Sequence, residues 1–125
     1  MAERKRWFIS HPSGATEHTP LFFQALRAFG NEAAEQIELV LPHEKDEEVV
    51  LTKKDIESSE LVIVEVSIPS TGSGIELGWA NTAGKPIIAF NQGGSQTSPA
   101  LKFVITEIHA YFSAGDITKI LQEKR

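Results

Sequence analysis

The segment ELVIVEVSIPSTGSGIELGWANTAGKPII, residues 60–88, decides the fold. It begins with a continuous apolar run, Leu61–Val64, which is typical of a strand buried on both faces at the centre of a parallel sheet. A loop of small residues then leads into a helical segment, and Gly84 suits the position just past that helix. A second apolar strand starts at Lys85. Strand, helix and strand in this order predict a parallel β-α-β unit.

The same alternation of strands and helices extends in both directions from this unit. The phenylalanine-rich segment after Pro20 has apolar residues at helical spacing, and the charged segment 44–59 predicts a loop followed by a short helix. Residues 98–106 are predicted to be helical, and the last helix is predicted to begin at a capping Asp116. Further strands are predicted at Arg6–Ser10, Ile37–Pro42 and Ile108–Ser113. We therefore expect one domain, 1–125, with a three-layer α/β sandwich and a five-stranded parallel flavodoxin-like sheet of order 2-1-3-4-5.

Composition excludes several classes of function. The net charge of −5 disfavours a nucleic acid polymer as partner, because binding to phosphates requires a basic surface. The chain has no cysteine, so it has neither disulfides nor thiolate metal sites. No run of apolar residues is long enough for a membrane span, and the N-terminus lacks an apolar signal region. We expect a cytoplasmic protein that does not bind membranes.

Two loops of small residues are expected to form the binding site. In open α/β sheets, ligands bind at the carboxyl ends of the strands, where the strand order reverses. The predicted order places SHPSG (10–14) and SIPSTGSG (67–74) at this point. Both loops lead into helices, whose N-termini bind anions. The fingerprints of dinucleotide and P-loop sites are absent, and the histidine spacing matches no metal site, so we expect neither a cofactor nor a metal.

Glu76 allows two interpretations. Ser73 and Glu76 have the spacing of a capping box, in which the glutamate stabilises the helix start by about 1 kcal/mol. Spacing alone favours this interpretation. The alternative is a chemical role, because the carboxylate is expected at the cleft and a helix dipole would lower its pKa and keep it ionised. Asn91, at the end of the fourth predicted strand, is likewise either a substrate contact or the start of the NQGG turn.

The stretch that begins at Pro69 resembles the central motif of the nucleoside 2-deoxyribosyltransferase family, and in particular its small branch of 2′-deoxynucleoside 5′-monophosphate N-hydrolases. That motif follows a hydrophobic strand, has the form P-S-x-G-x-G-x-E-L-G-x-A, and precedes a strand led by lysine. All eight specified positions fit: Pro69, Ser70, Gly72, Gly74, Glu76, Leu77, Gly78 and Ala80.

The resemblance implies an N-glycosidase or deoxyribosyltransferase acting on a small-molecule deoxynucleoside or nucleotide. In that family the motif glutamate, here Glu76, attacks the anomeric carbon of the deoxyribose and expels the base. Ser70 then contacts the 5′ end of the substrate, and we expect Gly72 and Gly74 beside it. The loop that closes over the sugar maps to Ser10, His11, Pro12, Ser13 and Gly14. Ser98 is the nearest match to a serine that reaches the neighbouring subunit's phosphate, which implies a homodimer.

Two positions depart from the family pattern. Ser10 stands where a glycine is expected, and Thr52 stands where the family has an aspartate, 24 residues before the nucleophile. Asp55, one helical turn later, is a candidate for the missing role. These departures leave three hypotheses: a hydrolase, preferred over a transferase; a non-catalytic nucleotide-binding protein; and an interaction domain in which Glu76 only caps a helix. Trp79, Leu101 and Phe103 are the candidates for a dimer interface.

Overall fold

A computed structural model describes residues 4–12, 15–41 and 49–125 of the chain. The predictions for Ser13, Gly14 and the segment 42–48 lie outside these described residues. Along the chain the elements are β1 (Lys5–Ser10), α1 (Ala15–His18), α2 (Pro20–Glu32), β2 (Ile37–Val40), α3 (Val49–Glu57), β3 (Leu61–Glu65), α4 (Thr71–Thr82), β4 (Ile87–Gln92), a short 3₁₀ helix (Pro99–Phe103), β5 (Glu107–Tyr111) and α5 (Ala114–Lys124).

The five strands form one parallel sheet in the order β2-β1-β3-β4-β5. This confirms the predicted α/β flavodoxin-like fold and its strand order. Strand β3 lies at the centre, and its residues are buried on both faces, as the continuous apolar run predicts. The chain reverses its direction of winding between β1 and β3, so the carboxyl ends of these two strands border the expected cleft.

Each face of the sheet carries its own apolar core. Helices α2 and α5 cover one face, where Trp7 of β1 stacks on Phe29 of α2 with ring centroids 5.4 Å apart. Helices α3 and α4 cover the other face, where Ile56 and Leu77 pack against β3 and β4. Because side chains alternate along a strand, successive residues at the strand ends point to opposite faces of the sheet. This alternation decides which polar residues can meet at the site.

Two predicted helix starts are wrong by three residues. Helix α4 begins after Ser70, not Ser73: the Ser70 hydroxyl accepts a hydrogen bond from the Ser73 amide at 3.2 Å, and Ser70 has the extended backbone of an N-cap. Helix α5 begins after Ser113, and Asp116 is the third residue of its capping box. In both cases an earlier serine is available, and its short hydroxyl side chain reaches the amide three residues on.

Other boundaries follow the sequence more closely. Gly84 has a φ of +72° just past α4, which confirms its predicted place after the helix. Residues 98–106 were predicted to be helical. The structure has a short 3₁₀ helix there, Pro99–Phe103, and β5 begins at Glu107. Within the described ranges, every helix is too short or too polar to cross a membrane.

Candidate active site

The candidate site lies where the end of β1 meets helix α4. Ser10 is the last residue of β1, and its side chain is fully buried on the face covered by α3 and α4. Glu76 lies on the second turn of α4 and is half-buried. The Ser10 hydroxyl donates a hydrogen bond to Oε1 of Glu76 over 2.7 Å. The structure therefore brings together two of the residues that the sequence singled out, which are 66 positions apart along the chain.

Among the described residues, hydrogen bonds reach only one carboxylate oxygen of Glu76. Within the described part of the chain, Oε2 accepts no hydrogen bond and Glu76 forms no ion pair. A carboxylate in this position is held in place by Ser10 and keeps a second oxygen for a ligand. This arrangement suits a nucleophile or an electrostatic stabiliser.

Burial raises the pKa of Glu76 above its ordinary value, and the Ser10 hydrogen bond partly opposes this rise. The expectation that the helix dipole lowers this pKa is wrong in its direction. Because α4 starts at Thr71, Glu76 is the sixth helical residue, beyond the first turn where the dipole acts. Desolvation of the charged form is the larger effect here.

Glu76 does not cap its helix. The N-cap is Ser70, so the position of a capping-box glutamate belongs to Ser73. The interpretation that spacing alone favours is therefore wrong, because the helix starts one turn earlier than the S-x-x-E pattern indicates. The interaction-domain hypothesis explained Glu76 as a helix cap, so it no longer explains this residue.

Asp55 lies elsewhere. Its carboxylate is 3.5 Å from the Arg6 guanidinium, and Arg6 is near the amino end of β1. Ser10 is four residues further along that strand, about 13 Å at 3.3 Å per residue. The structure does not bring Asp55 to Glu76, because the end of α3 returns to the amino edge of the sheet. Thr52, one turn earlier on α3, is half-buried.

The loop after β1 divides between the two faces of the sheet. His11 follows Ser10 and points to the opposite face, where its ring packs edge-on against Phe23 at 5.2 Å. Pro12 is buried, and its carbonyl oxygen lies 3.1 Å from Nδ1 of His11. Among the described residues of SHPSG (10–14), only Ser10 forms a hydrogen bond with Glu76. The strand alternation explains why His11 does not.

The start of α4 leaves room for a ligand. A Cβ atom placed on Gly74 would meet nothing within 4 Å, and one on Gly72 would meet only the Ser70 hydroxyl at 3.8 Å. Packing against the described part of the chain therefore does not require a glycine at either position. Ser73 is buried, and its hydroxyl oxygen has no hydrogen-bond partner among the described residues.

Asn91 and Ser98 belong to the neighbouring loop. Asn91 is buried at the end of β4, and its amide nitrogen donates to the Thr97 hydroxyl at 2.7 Å. Asn91 thus ties down the loop that precedes the 3₁₀ helix, where Ser98 is exposed. A cavity of about 700 Å³ lies beside this loop, lined in part by Asn91, Thr97 and Lys102. Glu76 does not line this cavity.

Sequence reasoning missed a second buried carboxyl group. Glu65 ends β3 and is 0% exposed, and it accepts hydrogen bonds from Ser67 and Tyr111. The available signal was a glutamate directly after a run of four apolar residues, which requires polar partners if it is buried. Among residues 4–12, 15–41 and 49–125, no group of three or more histidine or acidic side chains could hold a metal ion.

Solved structures share the fold of this chain, although no protein-family model and no curated protein sequence matches it. The CMP N-glycosidase BcmB of Clostridium botulinum is 23% identical, with a TM-score of 0.69 over 95% of this chain and 99% of that protein. A conserved protein from Enterococcus faecalis V583 is 12% identical, with a TM-score of 0.73 over 98% and 100%. A 2-deoxyribosyltransferase from Bacillus psychrosaccharolyticus is 18% identical, with a TM-score of 0.64 over 90% of each chain. At these identities the likeness establishes the fold.

Proposed function

We propose that this chain belongs to the nucleoside 2-deoxyribosyltransferase family and cleaves the N-glycosidic bond of a 2′-deoxynucleoside or its 5′-monophosphate. The motif from Pro69 to Ala80 supports the proposal at the level of sequence. Two solved structures with this fold are described as a CMP N-glycosidase and a 2-deoxyribosyltransferase. The observation that carries the proposal is the position of Glu76, which is half-buried beside the carboxyl end of β1, hydrogen-bonded to Ser10 and not part of the helix cap.

The proposed reaction starts with attack of Oε2 of Glu76 on the anomeric carbon of the sugar. A carbon–oxygen bond forms while the carbon–nitrogen bond breaks, and the bonding electron pair leaves with the base. The transition state resembles an oxocarbenium ion, which an ionised carboxylate stabilises. Ser10 holds Oε1 throughout, so it fixes which oxygen faces the sugar.

Water completes the reaction in the hydrolytic version. It attacks the anomeric carbon of the ester, restores the Glu76 carboxylate and releases the free sugar with retained configuration. The proton that water loses balances the proton that the departing base takes up. A second base in place of water would give transfer. We favour hydrolysis because the chain is short and its motif resembles that of the small branch of the family.

The start of α4 is the proposed site for the 5′ end of the substrate. The Ser70 hydroxyl accepts one hydrogen bond from the helix and retains its own proton for donation. Open space at Gly72 and Gly74 permits close approach to the backbone, and the helix N-terminus favours negative charge. Inorganic phosphate should therefore compete with a monophosphate substrate and much less with a nucleoside.

A non-catalytic nucleotide-binding protein is the second candidate. Two observations favour it: Thr52 replaces the family's aspartate, and Asp55 is paired with Arg6 instead of lying at the cleft. Such a protein would retain the anion site at α4 but would release no base. The raised pKa of Glu76 is compatible with both candidates, because desolvation alone produces it.

Base release distinguishes the two candidates. Purified protein is incubated with each of the four deoxynucleoside monophosphates and nucleosides, and free base is quantified by chromatography. We expect release by the wild type and none by Glu76→Gln, with normal release by Glu123→Gln, a control at an exposed position on α5. Binding of a substrate without release by the wild type would contradict the enzyme and favour the binding protein.

A further inference from the structure

Glu65 is a buried carboxyl group that the proposed reaction does not use. It is the last residue of β3, and the alternation along this strand places its side chain on the face opposite Glu76, toward the core of α2 and α5. Its side chain is 0% exposed. A carboxyl group in such a position is costly unless its oxygens are hydrogen-bonded.

Both oxygens of Glu65 are in fact engaged. Oε1 accepts from the Ser67 amide at 2.5 Å, and Oε2 accepts from the Ser67 hydroxyl at 2.9 Å and from the Tyr111 hydroxyl. The Ser67 hydroxyl also accepts from the Gln92 amide at 2.7 Å. Tyr111 is fully buried, and burial together with the hydrogen bond to Glu65 raises its pKa, so its hydroxyl remains a donor.

These contacts join the carboxyl ends of three strands. Glu65 ends β3, Gln92 ends β4 and Tyr111 ends β5. In the connection from β3 to α4, the Val66 backbone amide donates to the Phe90 carbonyl, and Ser67 follows as the residue whose side chain ties this connection to β3 and β4. The N-cap Ser70 comes only three residues after Ser67. Because this connection is short and contains Pro69, the position of Ser67 determines where α4 begins.

We propose that Glu65, Ser67 and Tyr111 form a strand-end clamp that positions the start of α4 and so determines recognition of the substrate's 5′ end. The clamp acts on the loop, whereas Glu76 lies a turn further along α4 and has separate support from Ser10. Loss of the clamp should therefore weaken binding of the 5′ end more than it slows bond cleavage. The role in recognition rests on the proposed function, but the effect on the loop does not.

Amide exchange tests the clamp without any substrate. Tyr111→Phe removes one hydroxyl and keeps the ring, and Glu65→Gln keeps the shape of the side chain but adds donors where acceptors are needed. Ile117→Val is the matched control, since it trims a buried side chain of the same core that makes no hydrogen bond to the clamp. The reporters are the backbone amides of Ser67, Gln92 and Ser73. The Ser73 amide is the one that donates a hydrogen bond to the Ser70 hydroxyl.

In both clamp variants the three reporter amides should exchange about tenfold faster than in Ile117→Val, a change that corresponds to about 1.4 kcal/mol of local opening. Exchange at Ser73 equal to that of the control would overturn the proposal.

Kinetics provides the second measurement. Tyr111→Phe should raise KM for a deoxynucleoside monophosphate about tenfold, whereas kcat and the KM for the nucleoside should change by less than about twofold. A loss of kcat with unchanged KM would also overturn it.

The two proposals fail separately. If the wild type releases no base from any substrate, the proposed function fails, and the exchange rates alone decide whether the clamp positions α4. If base is released but Ser73 exchanges equally in all variants, the proposed function stands and the clamp is refuted.

Discussion

Ser10→Ala should move the pH dependence of base release to higher pH. The hydroxyl donates the one hydrogen bond that Glu76 receives within the described residues, and this bond lowers the pKa of Glu76 against the rise caused by burial. A hydrogen bond to a charged group contributes about 1.5 kcal/mol at the lower end of its range, which is roughly one pKa unit. Without it, the pKa of Glu76 should rise further above its ordinary value.

The sign follows from the form that reacts. Only the ionised carboxylate attacks the sugar, so activity falls as the pH drops through the pKa of Glu76. A higher pKa moves this acid limb to higher pH, so on the acid limb Ser10→Ala should have up to about tenfold lower kcat/KM than the wild type. The titratable residues on the described parts of the elements packed against α4 are Lys5 and Arg6 on β1, Lys53, Lys54, Asp55 and Glu57 on α3, and Glu65 on β3. None of these forms an ion pair with Glu76.

The assay is kcat/KM for base release between about pH 4 and 9 for the wild type and two variants, a range that spans the ordinary and raised pKa of a glutamate. Ser59→Ala is the matched control, because Ser59 is also a buried serine with a hydrogen bond, to the Asp55 carbonyl at 2.6 Å. Its acid limb should coincide with that of the wild type. An acid limb in Ser10→Ala identical to that of the wild type would refute the inference that Ser10 controls Glu76.

Three further predictions concern stability, Asp55 and assembly. Glu76→Gln should raise the free energy of unfolding at pH 7, because burial penalises the charged form of Glu76. The gain should vanish at acidic pH, where the carboxyl is protonated in both the folded and the unfolded state. Chemical denaturation at two pH values measures this, and a lower stability of the variant at pH 7 would contradict it. Asp55→Asn should leave the rate of base release within about twofold of the wild-type rate, since the contact of Asp55 with Arg6 is far from Glu76. A loss of about a hundredfold or more, the size expected for a general acid, would show that Asp55 takes part in catalysis. Light scattering should show a dimer at micromolar concentration, and Phe103→Ser should weaken this dimer, because Phe103 is 91% exposed. A stable wild-type monomer would contradict this prediction and would also mean that Ser98 does not reach a neighbouring subunit's site.

The sequence was sufficient for the fold because its strands are strongly patterned. The apolar run Leu61–Val64 and the helices between strands require a parallel sheet, and short right-handed connections leave few strand orders. Helix starts were less predictable, because more than one residue with the chemistry of an N-cap stands near each start. Ser70 and Ser73 both have the chemistry of an N-cap, and only the path of the backbone decides between them.

The site was predicted in part for the same physical reason. Glu76 and Ser10 are placed by the topology, which brings the ends of β1 and β3 to one edge. The prediction that Asp55 lies near Glu76 is wrong, because Asp55 is near the end of α3, which lies at the amino edge of the sheet. Sequence spacing does not show where a helix ends relative to the sheet. The local sequence marks Glu65 as an acid after an apolar run, but its partners come from three strand ends at once, so the sequence pattern does not show which residues they are.

The most direct test of the account is the covalent intermediate on Glu76. Wild-type protein is mixed with a deoxynucleoside monophosphate, quenched in acid within milliseconds and digested, and the peptide that contains residues 71–82 is examined by mass spectrometry. We predict a sugar ester on Glu76 in the wild type, formed as fast as base is released, and none in Glu76→Gln. Release of base by the wild type with no adduct, or undiminished release by Glu76→Gln, would contradict a glutamate nucleophile.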